Sequence, residues 1–121
     1  SNRFIIMATS GSLIAQTRPS NTTASTAYTA TLKTSISRII VVNTTGSAAT
    51  FRLFHDDDGS TYDETTAVVW DNSIASGGYV DLQAYLDAGA ITIAVSGTLG
   101  VRSGTGNALT FNVYGQVEDA R

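Results

Sequence analysis

The sequence is poor in the residues that carry most protein chemistry. In 121 residues it has no cysteine, one proline, one methionine, one tryptophan and one histidine, His55. The lack of cysteine excludes disulfide bonds and thiolate metal sites, and it leaves the redox compartment open. With a single histidine, neither a histidine pair on a metal nor a two-histidine mechanism is available.

Charge is scarce as well. Charged residues make up 14% of the chain, against roughly 25% in a typical soluble domain. The net charge of −3 and the pI near 4.7 argue against a nucleic-acid partner, which requires a basic stripe. No stretch approaches the roughly 18 apolar residues of a membrane helix, so no membrane partner is expected.

The residues that are present favour β-structure. The length predicts one domain, large enough to bury a core without disulfide bonds. The chain is organised around residues 36–55, which predict two strands joined by the turn 43–47. The first of these strands, residues 36–42, has apolar side chains at odd and even positions, which predicts a central strand covered on both faces.

Apolar alternation and turn residues predict eight or nine strands at spacings of about ten residues. One helical turn is expected within residues 82–88. This pattern predicts an all-β fold, an antiparallel β-sandwich that is jelly-roll-like, with an immunoglobulin-like sandwich as the alternative because strand order is not visible in the sequence. The expected inward-facing side chains of the flanking strands are Tyr28, Leu32, Ile91, Ile93, Val95, Leu109, Phe111 and Val113.

The domain organisation is an N-terminal arm (residues 1–11), a β-sandwich domain (12–117) and a polar tail (118–121). The arm holds a compact apolar group that is open to three interpretations: an edge strand, a segment that docks on another subunit, or a disordered terminus. Arg52 is expected to pair with an acidic residue of a neighbouring strand or of a neighbouring subunit. The candidate contact residues are Phe4, Ile5, Ile6, Met7 and Arg52.

An acidic stretch at residues 55–64 is the sharpest local feature. Its carboxylates could coordinate Ca²⁺, but with Gly59 in the glycine slot of an EF-hand, Phe54 and Thr65 fall on the first and twelfth ligand positions. The favoured interpretation is an acidic loop with a turn at Asp58-Gly59. The alternative is a cation site of another kind at Asp56, Asp57, Asp58 and Asp63; no other cofactor is expected.

Patterns typical of catalysis are missing. There is no GxSxG nucleophile elbow, and a lone His55 before an acidic loop is typical of a solvated surface residue, so the chain is not expected to be an enzyme. Residues 100–106 (GVRSGTG) lack the GK[ST] ending of a phosphate loop and predict a hairpin connection.

Trp70 closes an apolar run, and core packing is the favoured interpretation. The alternative is an aromatic platform for a sugar. A carbohydrate-binding module using Trp70, Tyr79 or Tyr62 is therefore a rival function.

A family resemblance is carried by residues 39–53, IIVVNTTGSAATFRL, in which a strand ends in an N-x-x-G/S-x-x-x-F-R-like turn. The aromatic-ended strand 68–70, the turn 86–89 and the closing strand 111–115 complete the outline. With these parts, residues 13–116 resemble a family of small structural proteins of tailed bacteriophages. The acidic loop at 56–64 and the apolar start at 4–7 depart from the family outline.

The resemblance implies a non-enzymatic virion protein made in the host cytoplasm. It implies a β-sandwich, as a homotrimer, that decorates and cements the outer capsid surface by binding the major capsid protein or other virion proteins. A neck or tail accessory protein of the virion is the alternative.

Overall fold

The computed structural model describes residues 11–86, 89 and 91–118, and this part of the chain consists of nine β-strands and one helical turn. Within it, no helix is long and apolar enough to cross a membrane. The elements are β1 (Ser12–Thr17), β2 (Ser25–Thr29), β3 (Thr34–Asn43), β4 (Ala49–Asp56), β5 (Ala67–Ile74), β6 (Tyr79–Asp81), α1 (Gln83–Leu86), β7 (Thr92–Ile93), β8 (Thr98–Ser103) and β9 (Leu109–Val117).

The strands form two antiparallel sheets packed face to face. Sheet 1 has the order β1-β9-β3-β6, with β7 also paired to β3, and sheet 2 has the order β2-β8-β4-β5. The pairs β1·β9, β2·β8, β3·β6 and β4·β5 nest inside one another, as in one long hairpin rolled into a sandwich. This is the jelly-roll order, so the predicted fold class is confirmed and the immunoglobulin-like alternative does not apply.

The predicted strand at residues 36–42 lies inside β3, which pairs with β9 on one side and with β6 and β7 on the other. Only its inner face is fully covered, because Ile39 and Val41 are buried while Ile40 and Val42 are half-buried. The following turn does not form a hairpin, since β3 and β4 belong to different sheets. The hairpin predicted at residues 100–106 is wrong for the same reason: β8 lies in sheet 2 and β9 in sheet 1.

The core fills the space between the sheets. Leu109, Phe111 and Val113 point inward as predicted, and the Phe111 ring meets Phe51 edge-on at 6.0 Å between centroids. Tyr28 and Leu32 are half-buried, and Tyr28 packs against the core.

Val95 is not part of this core. β7 ends at Ile93, and Ser96 has a φ of 73° in the turn that follows, so the alternation of buried side chains stops before Val95. Val95 is consequently 57% exposed, while Ile91 and Ile93 are buried as predicted.

Candidate binding site on the outer face of sheet 2

A β-bulge brings three side chains together on the outer face of sheet 2. Phe51 pairs with Asn72 and Leu53 pairs with Val69, so two residues of β5, Trp70 and Asp71, stand opposite one residue of β4. That residue is Arg52. Asp71 has a φ of 52°, a left-handed conformation that costs a non-glycine residue about 1 kcal/mol.

Arg52 contacts both residues of the bulge. Its Nε donates to Asp71 Oδ1 at 2.6 Å and its Nη2 donates to Asp71 Oδ2 at 3.0 Å. Its guanidinium carbon lies 3.6 Å from the centroid of the Trp70 ring, as in a cation–π contact. The hydrogen bonds from Arg52 lower the pKa of the Asp71 carboxyl, and the same bonds raise the pKa of Arg52. Of the two pairings expected for Arg52, the one with an acidic residue of a neighbouring strand is confirmed.

A second arginine completes the arrangement. Arg102 of β8 is the direct cross-strand neighbour of Arg52, and like charges in that position repel. Asp71 lies between them, since Arg102 Nη1 is 3.5 Å from Asp71 Oδ1, while Arg102 Nε donates to the Thr22 carbonyl at 3.0 Å. Arg52, Trp70, Asp71 and Arg102 are called the outer-face patch below.

Trp70 is 43% exposed, so the prediction that it packs in the core is wrong. The physical reason is the bulge, which turns Trp70 and Asp71 toward Arg52 instead of letting them alternate between the two faces. The ring is held on two sides: Arg52 lies over one face, and Phe54 meets it at 87° with 6.3 Å between centroids.

The neighbouring half of the same sheet face is covered by the acidic stretch. The Tyr62 ring lies over Phe54, with 5.7 Å between centroids, and its hydroxyl donates to Thr98 Oγ1 at 2.8 Å and is 2.6 Å from Thr26 Oγ1. Gly100 leaves room for this ring, because a Cβ there would stand 2.5 Å from Tyr62 ring atoms. Tyr62 is therefore a cover for the sheet and is not placed as an open platform.

Tyr79 does not share a platform with Trp70. It is 68% exposed and pairs with Val42 of β3, on the outer face of sheet 1. The outer faces of the two sheets point in opposite directions, so the two aromatic rings cannot contact one sugar chain side by side.

The carboxylates of the acidic loop accept hydrogen bonds from the protein itself. Asp56 accepts from the Thr61 N–H at 2.7 Å, Asp57 from the Ala94 N–H at 2.8 Å, and Asp63 from the Thr65 hydroxyl and N–H. These bonds lower the pKa of Asp56, Asp57 and Asp63. The described residues contain no group of three or more His, Cys, Asp or Glu arranged to hold a metal ion, and a cation at Asp56, Asp57, Asp58 and Asp63 stays a prediction.

His55 lies beside this loop. Its Nε2 is 2.9 Å from Asp57 Oδ1, the same oxygen that accepts the Ala94 N–H. The structure thus joins the His55 ring to a carboxylate.

The other predicted contact residues, Phe4, Ile5, Ile6 and Met7, lie outside the described residues. Sequence reasoning missed Asp71 and Arg102, which complete the outer-face patch. The positions of these two side chains depend on the strand order and on the bulge. The only sign of the patch in the sequence is an acidic residue, Asp71, directly after the apolar run that ends at Trp70.

No protein-family model matches this chain, and no curated protein or solved structure shows significant similarity to it.

Proposed function

We propose that the protein is a non-enzymatic structural protein of a bacteriophage virion, made in the host cytoplasm. In this proposal it decorates the capsid as a homotrimer and cements the shell by binding the major capsid protein or other virion proteins. It is supported by the resemblance that the sequence of residues 13–116 bears to small virion proteins, and by the jelly-roll order of the described strands.

The observation that carries the proposal is a group of apolar side chains on the outer face of sheet 1. Tyr79 is 68% exposed at the β6 edge and Leu13 is 47% exposed at the β1 edge. Between them, Ile40, Val42 and Tyr114 are half-buried. Polar side chains lie among them, because Asp81, which pairs with Ile40, forms an ion pair with Arg38, and Asn112 accepts from Gln16. Exposed aromatic and aliphatic side chains with a polar border are typical of a protein interface. This face is therefore suited to a protein partner.

The N-terminal arm begins at the edge of the same sheet. The described chain starts at Gly11, beside Gly115, with a φ of 86°, and a Cβ at Gly11 would stand 2.7 Å from the Gly115 carbonyl oxygen. At about 3.3 Å per residue, the seven residues from Phe4 to Gly11 reach about 23 Å and the four from Met7 reach about 13 Å, whereas four strands span about 14 Å. Phe4, Ile5, Ile6 and Met7 are thus on a segment long enough to contact a neighbouring copy.

The test compares the intact chain with a chain that lacks residues 1–9. The expected result is that the intact chain has a mass of about 38 kDa by light scattering, three times the 12.6 kDa of one chain, and sediments with assembled particles. The deletion is expected to weaken trimer formation or particle binding.

Two matched variants sharpen this test. Replacement of Phe4, Ile5, Ile6 and Met7 by serine keeps the length and should reproduce the deletion, whereas replacement of Ser1, Asn2, Thr9 and Ser10 by glycine should change nothing. A monomeric intact chain that does not sediment with particles contradicts the proposal. Equal behaviour of all variants contradicts only the assignment of the arm as the contact segment. Immunogold labelling at the neck or tail would indicate a neck or tail protein as the partner instead of the capsid.

A further inference from the structure

We propose that the outer-face patch is a binding site for a neutral glycan, with the indole of Trp70 as the surface on which a sugar ring stacks. This site goes beyond the proposed function. The glycan site lies on sheet 2, whereas the face that we propose for protein contact lies on sheet 1.

Trp70 has the form of a fixed platform. Arg52 covers one face of the indole and Phe54 meets the ring edge-on, and Trp70 is still 43% exposed. The two hydrogen bonds between Arg52 and Asp71 hold the guanidinium under the ring. An open, immobilised aromatic face binds the C–H side of a pyranose, because the negative face of the π-system attracts the slightly positive hydrogens.

Polar groups lie next to Arg52 in the same patch, because Asp71 accepts from Arg52 and Arg102 is 3.5 Å from Asp71. The side chain of Asp71 is 42% exposed and that of Arg102 is 26% exposed. Arg102 has five N–H donors, of which Nε and Nη1 point to Thr22 and Asp71, and Asp71 offers carboxylate oxygens as acceptors. A donor and an acceptor beside an aromatic ring are what the hydroxyl groups of a sugar require.

The balance of charge favours a neutral glycan. Two guanidinium groups, Arg52 and Arg102, face the carboxylate of Asp71, and Glu64 is close enough to raise the pKa of Arg52 further. With two positive and two negative groups, this region has no net positive charge that would attract an anionic sugar.

The surroundings of Trp70 favour a glycan over a protein. Among the described residues, the other exposed large apolar side chains are Leu13 and Tyr79 on sheet 1, Val95 in the turn after β7, and Val117 at the end of β9. Trp70 is thus the one large exposed apolar side chain on sheet 2 among the described residues, and the exposed Asn72 and Ser73 follow it in β5. The centre of a protein interface is depleted in charge and surrounds its aromatic residues with further apolar contacts.

The bulge indicates that the arrangement is built and not incidental. The left-handed backbone of Asp71 is strained, and such strain persists where the surrounding contacts hold it in place. Here those contacts are the ones that fix Arg52 beneath Trp70.

The experiment uses the intrinsic fluorescence of Trp70, which is the sole tryptophan of the chain and therefore reports on this site alone. The protein is titrated with cellohexaose, maltohexaose, laminarihexaose and chitohexaose. A saturable change with at least one of them is expected, with chemical-shift changes confined to β4, β5 and β8. No fluorescence or chemical-shift change with any of the four overturns the proposal.

Variants are compared by calorimetry with the glycan that binds. Trp70→Ala should weaken binding at least tenfold and Trp70→Phe less, while Tyr79→Ala, the matched change on sheet 1, should leave binding unchanged. Circular dichroism checks that each variant is folded. If Trp70→Ala does not fold, Trp70→Phe is used in its place.

Three results contradict the glycan site. The first is a loss of binding in Tyr79→Ala as large as that in Trp70→Ala. The second is that only a heparin hexasaccharide binds, and that 0.5 M NaCl abolishes this binding. The third is a Trp70→Ala variant that loses particle binding while no glycan binds the parent, since the patch would then be a protein contact. Failure of the glycan site leaves the trimer and particle tests unaffected.

Discussion

Asn43 is fully buried and uses every hydrogen-bonding position of its side-chain amide. Its Nδ2 donates to the carbonyls of Ser47 and Ile74, at 2.8 and 3.0 Å. Its Oδ1 accepts from the Thr45 N–H and hydroxyl, at 3.0 and 2.7 Å. One side chain therefore joins the turn between the sheets to the end of β5.

Asn43→Ala should lower the free energy of unfolding by about 2 kcal/mol or more, because buried carbonyl and N–H groups lose their partners. Urea unfolding measures the change. The control is Asn72→Ala, at an exposed position of β5, which should stay within about 0.5 kcal/mol of the parent. Equal effects of the two substitutions would show that the Asn43 bonds do not support the fold.

Gly100→Ala should displace Tyr62 from the outer face of sheet 2, because the added Cβ overlaps the ring. The expected result is lower stability and faster proteolysis within residues 57–66. Gly46→Ala is the control, since nothing lies within 4 Å of a Cβ there. In a Tyr62→Ala background the cost of Gly100→Ala should nearly vanish, and a cost that persists in full would contradict the packing of Tyr62 on Gly100.

Single residues show where sequence reasoning succeeds and where it fails. The expected pairing of Arg52 with an acidic residue of the next strand is confirmed by Asp71. The prediction that Trp70 packs in the core is wrong, because period-two alternation assumes a regular strand and a bulge interrupts β5 at this point. Apolar periodicity carries no signal of a bulge, so the outer-face patch could not be assembled from the sequence.

At the scale of elements, the acidic loop should make stability depend on pH in the acid range. The pKa values of Asp56, Asp57, Asp63 and Asp71 are lower in the folded protein, so the unfolded chain binds more protons there. The stabilisation is complete above the ordinary aspartate pKa of about 3.9 and is lost as the pH falls through the folded values. Urea unfolding should give a constant free energy from pH 7 to about 5 and a decline below about 4.

The main cause of the low pKa of Asp56 is the hydrogen bond from the Thr61 N–H, and that of Asp57 is the hydrogen bond from the Ala94 N–H. Salt screens exposed charges but not such bonds, so the acid decline should persist in 1 M NaCl. Asp56→Asn should make the decline shallower. A decline abolished by salt, or one already present between pH 7 and 5, would contradict this account of the loop.

Most strands could be predicted because their apolar residues alternate, and Leu109, Phe111 and Val113 show this in β9. Partners could not be predicted, since alternation says which face is buried and not which strand lies alongside. This is why residues 44–48 and 104–108, which carry the chain from one sheet to the other, look like hairpin turns in the sequence.

At the scale of the whole molecule, the two outer faces differ in chemistry. Sheet 1 presents Leu13 and Tyr79, and sheet 2 presents the outer-face patch beside the segment covered by Tyr62. We propose a protein partner for the first face and a glycan for the second. The fold class was predictable from composition and spacing, whereas this division between faces required the strand order.

The most direct measurement is quantitative mass spectrometry of virus-like particles purified by gradient from a culture that produces the chain. A decoration protein is predicted to remain with the particles through gradient purification, in a fixed ratio to the major capsid protein. Its absence from purified particles, with all of the chain in the cleared lysate, would contradict the proposal that it is part of the virion.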